Sequence, residues 1–126
     1  MVYHQRISRP DSLKAVARVR ALATEFPEVD EKVDGFGHTS FRVKDKPFIM
    51  MGEDADCWLS FKADRYTQDF LLKRDCFEKT PYIGQHGWTS IKTHEVADWD
   101  EIADLITQAY VRVAPARLGR LIEGEN

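Results

Sequence analysis

Thr39-Ser40-Phe41-Arg42-Val43-Lys44-Asp45-Lys46-Pro47-Phe48-Ile49-Met50-Met51, followed after a polar turn by Cys57-Trp58-Leu59-Ser60-Phe61-Lys62, decides the fold of this chain. Thr39, Phe41 and Val43 alternate with Ser40 and Arg42, the period of a half-buried strand. Lys44-Asp45-Lys46 is a tight polar turn. Phe48 to Met51 is a continuous apolar run, with Pro47 at the strand's first residue, where a proline is tolerated. Gly52 to Asp56 makes a second turn, and then Cys57, Leu59 and Phe61 alternate with Trp58, Ser60 and Lys62. Successive strands joined by short turns form an antiparallel meander.

Helical spacing takes over on both sides. Upstream, Asp11 is a helix cap beside Pro10, and Leu13, Val16, Val19, Ala23 and Phe26 form an apolar stripe that Pro27 ends. Val29 to Val33 fits a short first strand. Downstream, Asp64 caps a helix that runs to about Arg74, with Tyr66, Phe70 and either Leu71 or Lys73 turned inward. A loop over 75–87 holds a short strand near Phe77 to Thr80, and Trp88 to Thr93 is a further strand. Asp98-x-x-Glu101 has the capping-box pattern and opens a helix with Trp99, Ile102, Ile106, Ala109, Tyr110 and Val113 on its apolar side. Pro115 breaks it, and Ala116 to Ile122 is a last helical piece. The expected architecture is α+β: one domain over 1–126, in the order α-β(3–4)-α-β(1–2)-α. It has two layers, an antiparallel sheet with helices on one face.

Bulk properties narrow the function classes. The chain has 126 residues, 43% hydrophobic and 31% charged, enough to build a core. No apolar run approaches the roughly 20 residues of a membrane span, and Met1 to Arg9 lacks a secretory h-region. A cytoplasmic monomer with no membrane association is expected. Cys57 and Cys76 are too few for a disulfide framework, and no Cys or His spacing supplies a metal site, so neither a metal nor a cofactor is expected. The net charge is −3. It is unevenly spread: Arg6, Arg9, Lys14, Arg18 and Arg20 precede residue 21, while Glu95, Asp98, Asp100, Glu101 and Asp104 cluster later.

Strand parity defines a candidate binding face. If Phe41, Cys57, Leu59 and Phe61 meet the helices, then Ser40, Arg42, Trp58, Ser60 and Lys62 look outward; in the later strand either Thr89 and Ile91 or Trp88, Ser90 and Lys92 face out, and the second choice continues the pattern. Bases over aromatic platforms suit single strands or anionic ligands, because stacking and charge neutralisation act together. Lys44 and Lys46 on their turn, and His86 in the Gln85-His86-Gly87 loop, are candidates for projecting contacts with phosphates. The candidate nucleic-acid-binding set is therefore Arg42, Lys44, Lys46, Trp58, Lys62, His86, Trp88 and Lys92. The plainer alternative is that the indoles tuck under loops and the bases are solvated charges. Enzyme signatures are missing: there is no G-x-S-x-G, no H-E-x-x-H and no phosphate-cradling glycine loop, and Gly35-Phe36-Gly37 is only a lone G-x-G. No catalytic residues are assigned.

Four motifs together resemble one family. Gly37-His38-Thr39-Ser40-Phe41-Arg42-Val43 with Lys46-Pro47-Phe48, Leu59-Ser60-Phe61-Lys62-Ala63-Asp64, Pro81-Tyr82-Ile83-Gly84-Gln85-His86-Gly87-Trp88 and Tyr110-Val111-Arg112-Val113-Ala114-Pro115 are similar, in order and spacing, to the MmcQ/YjbR family of small bacterial proteins. The resemblance implies a fold like that of type III secretion chaperones. It also implies a DNA-binding role through a double wing, and it brings no catalytic residues. Two functions are expected from this reading: a non-enzymatic DNA-binding module or, as the alternative, a protein-interaction or small-ligand adaptor with no nucleic-acid role.

Overall fold

The computed structural model describes residues 9–35, 38–52 and 57–123. Most of the expected turn over 52–56, the Phe36-Gly37 pair and Arg6 lie outside them. The elements are α1 (Arg9–Ala23), β1 (Val29–Val33), β2 (His38–Val43), β3 (Lys46–Gly52), β4 (Trp58–Lys62), α2 (Arg65–Leu72), β5 (Phe77–Lys79), β6 (Trp88–Lys92), α3 (Trp99–Val113) and α4 (Ala116–Ile122). The strands form a six-stranded sheet in the order β1-β2-β3-β4-β6-β5. Every pairing is antiparallel. The α+β reading and the element order agree with this architecture.

The β2–β3 hairpin turns on Lys44 and Asp45, both at positive φ, 50° and 64°. Two such residues match the right-handed twist of the flanking strands. The register then slips. Phe41 faces Ile49, but Arg42 faces Pro47, so Phe48 is an extra residue on β3. Pro47, which has no N–H to donate, sits where the ladder is already interrupted. The bulge lets both Phe48 and Ile49 enter the core. Phe48 meets Tyr110 edge-on at 5.4 Å, and Tyr110 stacks on Phe26 at 4.7 Å.

Odd-numbered strand residues Phe41, Ile49, Leu59, Phe61 and Ile91 pack with Val16, Val19 and Ala23 of α1, Ile102, Ile106, Ala109 and Tyr110 of α3, and Leu118 of α4. Each Val, Leu, Ile or Phe side chain among them contributes about 1.5–3 kcal/mol when removed from water. Tyr110 also donates its hydroxyl to the carbonyl of Pro27 at 2.7 Å, tying α3 to the segment after α1.

Three local expectations are corrected. On α1, Leu13 is exposed, while the small residues Ser12 and Ala15 are buried with Val16 and Val19. On α2, Gln68 and Leu71 point inward, and Tyr66 and Phe70 are 87% and 62% exposed. The inward glutamine is explained by its partners, since its amide donates to the carbonyls of Gly84 and Trp88. At the start of α3, Asp98 does cap, accepting from the Asp100 backbone N–H, but Glu101 does not complete the box. Its carboxylate is taken in bidentate fashion by Arg74, at 2.6 and 3.1 Å, a stronger pairing than one backbone N–H offers.

Candidate nucleic-acid interface

Even-numbered strand residues form the other face. One row crosses all six strands in register: Lys32, Ser40, Met50, Ser60, Ser90 and Glu78. To one side of it Trp58 faces Lys92, and to the other Lys62 faces Trp88, with Arg42 opposite Pro47. Arg42 and Lys62 thus lie on the same layer, as alternation requires. The whole row lines a pocket of about 690 Å³ whose described walls come from strands, Asp34 just after β1 and the 78–81 segment. No helix residue lines that pocket, so this part of the sheet face is open.

The centre of the pocket floor is hydroxylic, and charged Lys32 and Glu78 stand at the two ends of the row. Ser90 Oγ lies 2.7 Å from both Ser60 Oγ and Thr80 Oγ1, a three-member hydroxyl chain. Ser40 accepts from Arg42 Nε at 2.9 Å, and Arg42 Nη1 donates to the Asp45 carbonyl at 3.1 Å. The guanidinium is therefore held at the sheet surface. Trp58 is half-buried, and Lys92 Nζ sits 5.2 Å from its ring centre.

A second cleft, about 480 Å³, lies at the Lys62–Trp88 end, walled by Lys46, Pro47, Lys62, Trp88, Arg112 and Val113. Three cations from β3, β4 and α3 line it, and no carboxylate does. Asp64 is the nearby acid. The backbone N–H of Thr67 holds its carboxyl below the usual range, and the charge of Arg112 adds to this.

The structure thus sorts the sequence-selected residues. Lys46, Lys62 and Trp88 meet in the cleft; Arg42 and Trp58 line the pocket, with Lys92 beside Trp58. Trp88 is only 6% exposed, so its indole is a wall of the cleft and not an open stacking platform. Lys44 is paired with Glu28 at 2.7 Å. His86 ends a 3₁₀ turn (Gly84–His86) and lines neither site. Sequence reasoning missed Arg112 as a site residue. It lies on a helix, and only its quoted neighbours in the Tyr110 to Pro115 motif marked it. Among the described residues no group of three or more His, Cys, Asp and Glu could hold a metal ion, and neither Cys57 nor Cys76 is in a disulfide.

The YjbR family model matches residues 24–112. This chain belongs to the YjbR family. The matched span holds most of both sites, from the hairpin that carries Lys46 to Arg112 at the end of α3. The YjbR domain is also similar in fold to a Deinococcus radiodurans protein, DR2400, whose domain is DUF419. The TM-score is 0.74 at 15% identity, over 86% of this chain and 87% of that one. No curated protein matches the sequence.

Proposed function

We propose that this YjbR domain is a non-enzymatic DNA-binding module that grips the phosphate backbone at the basic end of its open sheet face. The observation that carries the reading is the convergence of Lys46, Lys62 and Arg112 on one cleft without a carboxylate in its walls. A net charge of −3 weakens long-range attraction, yet the cleft concentrates positive charge locally. Three phosphate contacts correspond to a slope of about −3 in log K against log salt on duplex DNA. Binding of that kind is modest and collapses as salt rises.

The test is fluorescence anisotropy of a short labelled oligonucleotide across a salt series. Lys62→Glu with Arg112→Glu should weaken binding by about tenfold or more and flatten the salt slope by about 2. Lys14→Glu, on the exposed side of α1, should weaken it much less. No binding by the unaltered protein at low salt removes this reading.

The second reading, a small-ligand adaptor, is favoured by the 690 Å³ pocket, a size typical of small-molecule sites. Its test is a heat of binding from a small ligand that survives Lys62→Glu.

A further inference from the structure

We propose that the sheet pocket takes one planar heterocycle of nucleobase type, with its attached phosphate reaching the Lys46–Lys62–Arg112 cleft. The phosphate half rests on the DNA-binding reading; the base half rests on the pocket alone.

Placement is the first argument. Ser60 and Lys62 lie on the same face of β4, two residues apart, and Ser90 and Trp88 do the same on β6. The spacing between alternate residues of a strand is about 6.6 Å. The hydroxyl floor and the basic cleft are therefore neighbours along two adjacent strands, separated by a distance that one sugar can span.

Chemistry is the second. The Thr80–Ser90–Ser60 chain has three hydroxyl protons and two internal hydrogen bonds, so one O–H remains for a ligand. The chain can reverse direction, presenting a donor at one end or the other. Beside it, Met50 and Trp58 supply apolar surface. Three of the charged side chains that line the pocket are engaged, Arg42 on Ser40, Lys32 on Asp45 and Asp34 beside His38, while Glu78 and Lys79 border its β5 side. A flat ring with a hydrogen-bonding edge matches such a floor. An aliphatic chain leaves the free hydroxyl unpaired, and a sugar, polar all round, wastes the thioether and the indole. A base that is paired and stacked in a duplex cannot enter a concave site, so the ligand is a free nucleotide or an unpaired base in a single strand.

Isothermal titration separates the sources: a mononucleotide, a single strand, an abasic strand of equal length, and the same sequence as duplex. The single strand should bind about tenfold more tightly than the abasic strand, the scale of one stacked base. Ser60→Val with Ser90→Val should erase that difference while the salt slope persists. Met50→Trp, which fills the floor, should do the same and serves if the double variant does not fold. Equal affinity for abasic and normal strands overturns the base site and leaves the phosphate grip standing. Mononucleotide binding without strand binding supports the base site and overturns the DNA reading. No binding of mononucleotide, strand or duplex overturns both.

Discussion

Gly87 and Ala63 touch backbone to backbone: the Ala63 N–H donates to the Gly87 carbonyl at 3.0 Å, and a Cβ on Gly87 would collide with the Ala63 carbonyl oxygen. This contact joins the residue after Lys62 to the residue before Trp88. It therefore fixes the end of the sheet where the basic cleft lies.

Gly87→Ala is expected to destabilise strongly. Gly87 has φ of 98°, a conformation that costs an L-residue about 1–3 kcal/mol, and the collision adds to that. Urea denaturation should show the loss. Gly35→Ala is the control, because nothing lies within 4 Å of its added Cβ. Equal stability of the two variants would mean that the β4–β6 end is not packed as described.

Gln68→Leu should cost about 1–3 kcal/mol despite burying more apolar surface, because it deletes the amide that donates to Gly84 and Trp88 at 3.0 and 3.1 Å. Amide exchange in the 81–87 loop should quicken in step. A stability gain would show that the two carbonyls are satisfied without the amide.

That glutamine also marks where sequence reading stops. The meander was legible from Thr39 to Lys62 because strand alternation and turn residues act locally, and the same alternation put Arg42, Trp58 and Lys62 on one face. The inward side of α2 was not legible. Tyr66 and Phe70 are the more apolar residues, yet the helix turns Gln68 inward to the carbonyls of Gly84 in the loop and Trp88 at the start of β6, more than ten residues away. The fate of Glu101 was hidden for the same reason, since its partner Arg74 lies on another segment. The cleft was half visible. Lys62 and Trp88 follow from strand parity and Lys46 from its place at the hairpin turn, but Arg112 joins them only through how the end of α3 docks on the sheet.

Thr39→Val should stabilise the domain by about 1 kcal/mol. Thr39 is buried, and its Oγ1 has no hydrogen-bond partner among the described residues. Valine keeps the branched shape that suits a strand and removes the cost of the desolvated hydroxyl. Thermal denaturation measures the change, and a clear loss of stability would show that the hydroxyl is satisfied.

Glu28→Gln tests the hairpin. The Glu28 carboxylate accepts from Arg117 at 3.1 and 3.3 Å and lies 2.7 Å from Lys44 Nζ. Arg117, and then Lys44, pull its pKa down from 4.5 to about 2. A lowered folded-state pKa contributes stability that is fully present above the ordinary value. That stability is lost as pH falls through about 2. The thermal midpoint of Glu28→Gln should therefore lie slightly below that of the unaltered protein at neutral pH and converge with it in acid. The gap should be small, because the group is solvent-exposed and screened. The same substitution frees Lys44. If the hairpin approaches DNA, affinity at low salt should rise and the salt slope should steepen by about 1. An unchanged slope would remove Lys44 from the interface and confine phosphate contact to the cleft.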